Sequence, residues 1–270
     1  MNLVRMNLYR FVRTKAVYVI MLVTVLSIGL VVLDQKSMSQ EAWEAEMELL
    51  QQEGISTEDT GMTPGINFGM TPIRTVTEMS ESYIGSGMLL VLIGIFAALF
   101  SNAERTGGYL KNLNSCSQNK SWIFMAKAVP VVVFAGLNIV LIPVMSAVFG
   151  LDTSDAFSKE AAYYLLIQWL LHAAFGMFVL TIMEMSRSLV VGMLIGIFSG
   201  MGIGVLLLSF LEGFFNGNGF FTSHMLVHMV RAIVVENVTS SLLAGVLTGI
   251  IGFLLYLVLG TYVFKKRDMC

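Results

Sequence analysis

The stretch Glu104–Lys127, ERTGGYLKNLNSCSQNKSWIFMAK, decides how this chain is read. It is polar and basic on balance. Apolar runs long enough to cross a bilayer flank it on both sides. A polar segment confined in this way is a loop between two spans, and the rest of the chain is a frame that holds it on one side of a membrane.

The composition agrees. Hydrophobic residues make up 56% of the chain and charged residues 13%, and the mean hydropathy is +0.78. A water-soluble domain this apolar would expose too much greasy surface. The apolar residues come in long blocks rather than short alternating strands, so the fold class is all-α, a polytopic helical membrane protein rather than a barrel. Six runs of span length can be counted, at 16–33, 83–101, 128–149, 161–183, 189–211 and 242–264, within a single domain covering 1–270.

Orientation follows from Lys and Arg. One side carries Arg5, Arg10, Arg13 and Lys15, then Arg105, Lys111, Lys120 and Lys127, then Arg187 and Lys265, Lys266 and Arg267. The other side has only Lys36, Arg74, Lys159 and Arg231. Both termini are therefore expected in the cytoplasm. Residues 102–127 form the long cytoplasmic loop, and 34–82 an extracellular loop with ten acidic residues against two basic ones. A net charge of -2 gives no general attraction to nucleic acid. Cys116 and Cys270 both fall on the cytoplasmic side and imply neither a disulfide framework nor a zinc site.

Residues 1–15 lead into a full-length span with no cleavage site and are not read as a signal peptide. Val4, Leu8, Phe11 and Val12 share one helical face, with Arg5, Arg10 and Arg13 elsewhere. The segment reads either as an interfacial elbow helix or as a basic flank that sets topology. In the outer loop, Gln40–Glu53 is expected to form a short helix with Trp43, Met47 and Leu50 on one face. The repeat GMTP at 61–64 and 69–72 marks turns.

Asn138 in the third span, and Gln168 and His172 one turn apart in the fourth, are candidate polar groups for cross-helix bonds or for a pathway. In the fifth span, Gly192, Gly196, Gly200 and Gly204 recur every four residues, a groove suited to close helix packing or subunit contact. Gly245 and Gly249 repeat it weakly in the sixth. Residues 212–241 are too polar to span and too apolar for an ordinary loop, so they read as an extracellular or re-entrant segment. His224 and His228 there lack the Glu of a zincin motif.

The motifs GxxxxGK[ST], HExxH and GxSxG are absent, and no paired carboxylates are seen within a span. No catalytic, cofactor or metal residues are assigned, and an enzyme is not expected. A transporter subunit powered from elsewhere fits better.

The central loop then becomes specific. Glu104, Gly108 and Lys111 spell E-x-x-x-G-x-x-K directly after the second span, and Lys127 stands at the start of the third. This resembles the permease subunits of the type-2 ABC exporter family, Firmicutes-type, similar to those of peptide-antibiotic export and immunity. Lys120 stands where that family commonly has Arg, keeping charge but not fork geometry. The resemblance implies a coupling loop in which Glu104, Gly107, Gly108, Lys111, Lys120 and Lys127 engage a separate ABC ATP-binding subunit. ATP and Mg would be held by that partner. Gly107 and Gly108 would turn the backbone, and Glu104 and Lys111 would pair with the ATPase or with the elbow helix. Glu104 is expected at the membrane surface, where its loss would leave insertion and abundance nearly intact. The resemblance also implies a second permease copy or related permease across a central pathway, contact with membrane lipid, and location in a bacterial cell membrane. A peptide, antibiotic or other amphipathic substrate fits. The competing reading is a non-transporting sensor or immunity protein that binds an extracellular peptide through the acidic loop.

Overall fold

The computed structural model describes residues 3–37, 73–107, 120–214 and 220–266. The outer-loop helix expected at Gln40–Glu53, the GMTP repeat, Gly108, Lys111, Cys116 and Cys270 lie outside these residues.

Among the described residues the chain is helical, with no named strand and one isolated bridge, Thr75 to Asp152. In order the helices are α1 (Leu3–Arg13), α2 (Lys15–Ser37), α3 (Val76–Gly85), α4 (Met88–Thr106), α5 (Lys120–Val148), α6 (Lys159–Ser186), α7 (Leu189–Gly200), α8 (Ile203–Phe214), α9 (Phe220–Ser223), α10 (Leu226–Ala232) and α11 (Val238–Lys266). Five of them are long and apolar enough to cross a membrane; α7 and α8, bent by 66° to each other, make a sixth if the pair is one broken span and not a re-entrant loop. The chain is therefore a multi-pass membrane protein.

α6 is the axis of the bundle. It packs against α4, α5, α7, α10 and α11, and its buried positions run all round the helix in its middle turns. Helices inside lipid gain nothing from hiding apolar groups, so close packing holds them. Glycine and aromatic residues supply it. Phe96 of α4 stacks on Phe134 of α5 with centroids 3.9 Å apart, and Phe11 of α1 meets Phe96 edge-on at 5.8 Å.

Several boundaries differ from the hydropathy reading. The second span starts at Met88, because residues 76–85 form the separate helix α3. Thr75 and Glu78 cap α3 reciprocally, and Gly87 ends the turn at φ 80, a conformation open to glycine. The helix of the third span, α5, begins at Lys120 rather than 128, so eight residues assigned to the loop are its first two turns. Its ladder also runs through Pro130 and Pro143.

The fifth span is the main correction: it is not one straight helix. α7 ends at Gly200, Gly202 takes φ 84, and α8 leaves at an angle with Leu206, Leu207, Phe210, Leu211 and Phe214 exposed. The segment after it folds back. Leu226 lies where a side chain on Gly252, midway along α11, would touch it, and Ile233 lies the same way by Gly245. α10 and the first half of α11 thus form an antiparallel hairpin around the 3-10 turn Val235–Asn237.

Candidate functional site

The polar centre of the molecule is a charge network at the end of the bundle from which residues 107–119 depart. α4 ends there with Glu104 and Arg105, α5 brings Lys127 in its second turn, α6 ends with Glu184, and α1 contributes Arg10. Lys127 Nζ lies 2.5 Å from Glu104 Oε2 and 3.0 Å from Glu184 Oε1. Arg10 Nη1 donates to Glu104 Oε1 at 2.5 Å. Arg105 Nη2 donates to Glu184 Oε2 at 2.9 Å and to the Met183 carbonyl at 2.6 Å. Ser101 Oγ adds a bond to Glu184 Oε1 at 3.2 Å. The ammonium of Lys127 also sits 4.9 Å from the Phe264 ring centre, and the Arg10 guanidinium 5.3 Å from that of Phe100.

Glu104 and Lys127 are both 0% exposed. Glu104 thus stands within the packed end of the bundle and not outside it as expected, so its removal is not expected to leave abundance intact. In this arrangement neither residue presents its charge to an outside partner. A buried ion pair gains little over apolar packing when whole, but loss of one partner strands a charge and is costly. The network works as an internal tie among four helices.

The amino-terminal helix turns out differently as well. Asn7 and Phe11 are its buried positions, whereas Val12 is 55% exposed. Arg10, expected to face headgroups, points inward to Glu104. The buried acid selects the helix rotation, because a carboxylate inside the bundle needs every cation within reach.

Gly107 follows α4 at φ −76, so its turn does not use a glycine-only conformation. Lys120 is the first residue of α5.

The glycine row divides at the bend. A side-chain carbon on Gly196 would lie 3.3 Å from the Cα of Gly94 in α4, and one on Gly200 would lie 2.9 Å from the Val91 backbone nitrogen. At Gly192 it would run into Met183. Gly204, past the bend, has nothing within 4 Å. Three of the four glycines thus pack α7 onto α4 and α6 of the same chain, which is the helix-packing reading of their spacing. Gly245 and Gly249 likewise fit α11 against Ile167 and Leu170 of α6.

Asn138, Gln168 and His172 are all 0% exposed. Asn138 Oδ1 accepts from Thr24 Oγ1 of α2 at 3.1 Å, Gln168 Nε2 donates to the Val230 carbonyl at 2.9 Å, and His172 Nδ1 lies 2.7 Å from the Gln168 carbonyl. Asn138 and Gln168 therefore make cross-helix bonds.

At the opposite end of the bundle, Arg231 of α10 donates to the Gly200 carbonyl at 3.3 Å, placing positive charge at the C-terminus of α7, where the helix dipole favours it. Burial lowers the Arg231 pKa from its usual value. Glu81 of α3 accepts from the Val235 N–H, and burial pushes its carboxyl above the usual carboxylate range. The first contact holds α10 against the bend, and the second ties α3 to the 3-10 turn that follows α10.

The resemblance implied that Glu104 pairs with the ATPase or with the elbow helix, and Arg10 of that helix makes the second pairing; Glu184 and the inward role of Arg105 were missed. A signal for Glu184 was present. It is a lone acid at the inner end of an apolar span, on the side where basic residues dominate, and such a residue needs a buried partner. Two carboxylates from different helices, Glu104 and Glu184, meet on one ammonium. Both are neutralised by cations, which is no arrangement for acid–base work.

No family model matches this sequence, and no curated protein matches it.

Proposed function

We propose that this chain is the membrane-spanning permease subunit of an ATP-driven exporter of the type-2 ABC class, with ATP hydrolysis in a separate partner subunit. The observation that supports the reading best is the position of the charge network, at the foot of the segment 107–119. The two helices flanking that segment are tied to each other by Glu104 and Lys127, to α1 by Arg10, and to α6 by Glu184 and Arg105. A force applied to the segment moves four helix ends as one body, instead of bending a single helix. That is what a coupling element requires. A segment that only joined two spans would need no such footing.

The direct test is affinity purification of the tagged chain from native membranes. An ATP-binding subunit should co-purify, and Lys111→Glu, in the loop that carries the E-x-x-x-G-x-x-K pattern, should lower its yield about tenfold or more, as charge reversal at an interface does. Glu104 is unsuited to this test because its loss disturbs the interior. Recovery of the chain with no ATPase would favour the sensor reading.

The orientation proposed from Lys and Arg is tested separately. Phe157, 94% exposed in the turn between α5 and α6, lies on the outer side in this reading. Phe157→Cys should react with an impermeant thiol reagent added to intact cells, while Cys116 and Cys270 should not. Labelling of Cys116 from outside would reverse the topology and remove the coupling role.

A further inference from the structure

Halfway along α6 a cleft of about 470 Å³ opens between α7 and α11. Its floor is aromatic. Phe175 and Phe178 of α6 have ring centres 6.0 Å apart, and Phe178 and Tyr256 of α11 are 5.2 Å apart. Met225, at the start of α10, lies along one side, and Gly252 lacks the side chain that would narrow the space beside Leu226. Ile251 and Leu255 stand at the edge, 59% and 50% exposed on the apolar outer face of α11. The cleft therefore opens toward the surface that faces lipid.

Three hydroxyl groups line it. Ser199 of α7, Thr248 and Tyr256 donate no hydrogen bond from these oxygens to any described residue, although other Ser and Thr side chains in the spans bond to carbonyls of their own helix. No Asp, Glu, Lys or Arg lines the space, and His224, which does, has its Nδ1 3.0 Å from Ser223 Oγ. The volume falls within the range of about 300–1,000 Å³ usual for small-molecule sites, and apolar walls with a few placed polar groups are their usual lining. Aromatic faces favour an aromatic ring at offset or edge contact. Unpartnered hydroxyls in an apolar setting favour a ligand with hydrogen-bonding atoms, and the lack of any carboxylate or fixed cation disfavours a charged one.

We propose that this cleft binds one uncharged amphiphile carrying an aromatic ring, taken up laterally from the bilayer. Binding of this kind requires no partner ATPase and holds whether or not the chain transports.

The test uses the full chain purified into lipid nanodiscs, without an ATPase. The photoreactive probe is 4-(hydroxymethyl)benzophenone, with adducts mapped by peptide mass spectrometry. Saturable adducts are expected on Met225, Phe178 or Tyr256. The carboxylate and trimethylammonium analogues of the probe should not label these residues. Ser199→Ala combined with Thr248→Val deletes two hydroxyls and should weaken saturable labelling about tenfold. Gly252→Phe fills the cleft and should abolish it. If Gly252→Phe fails to fold, the hydroxyl pair, which removes no packing element, still decides the matter. Labelling that does not saturate, that spreads over exposed residues such as Leu243 and Leu247, that is equal for the charged analogues, or that survives loss of both hydroxyls would overturn the proposal. So would labelling that joins two chains through the cleft, which would make it a helix-packing surface.

Discussion

Lys127→Met is expected to destabilise the protein by about 1.5–3 kcal/mol, the scale of losing hydrogen bonds to a charged group, and to lower its abundance in membranes severalfold. Methionine fits the stem of lysine but leaves Glu104 and Glu184 facing each other inside the bundle, with no ammonium between them. Glu104 keeps Arg10 and Glu184 keeps Arg105, so each retains one ion pair and loses the other. The measurement is thermal unfolding in detergent, followed by the shift in midpoint, with membrane abundance beside it. A second variant separates this account from simple loss of volume. Glu104→Gln and Glu184→Gln added to Lys127→Met remove the two carboxylate charges that then face each other. Arg10 and Arg105, whose side chains are 20% and 19% exposed, can then reach water. The triple variant should be more stable than Lys127→Met alone, a sign of coupling that independent sites do not give. A triple variant less stable than the single one would show that the network holds the fold by shape and not by charge. Because Lys127 is fully buried, added salt should change its effect little.

Gly196→Leu should damage the packing of α7 on α4, with a loss of about 1–3 kcal/mol as the lower expectation for a well-packed interior. The Cβ alone would come within 3.3 Å of the Gly94 Cα, so the obstacle is backbone and not a side chain that can swing aside. α4 and α7 must separate to admit it. Without a hydrophobic drive between helices in lipid, little compensates for the lost contact. Gly204→Leu is the control, since its Cβ meets nothing within 4 Å. It should match the parent in abundance, midpoint and elution volume. If both variants behave alike, the groove does not pack the chain in the way its geometry indicates. If Gly196→Leu leaves the monomer intact and changes only oligomeric state, the subunit-contact reading of the row returns.

The membrane character, the helical class and the approximate place of every span were legible in the sequence, because each rests on a local property. A run of apolar residues either reaches span length or does not, and lipid allows an isolated segment no solution but a helix. Glu104, Lys127, Asn138, Gln168 and His172 were legible as unusual for the same reason, since polarity beside or within a span is a local fact. Apart from the elbow helix, one of two partners implied for Glu104, their partners were not. Arg10 and Glu104 are 94 residues apart, and Arg105 and Glu184 are 79 apart. Only the packing of α1, α4, α5 and α6 brings these charges together and turns a basic loop edge into a buried tie. The glycine row shows the same division. Its spacing belongs to a continuous helix, and it announces a groove wherever it occurs. The 66° bend after Gly200 is decided by Gly202, by Arg231 from α10 and by the close approach of α4, none of which the period of four contains. Hydropathy measures what a segment prefers as its surroundings; which helix faces which, and where a span breaks, is decided by tertiary contacts that fill grooves and neutralise charges across distant parts of the chain.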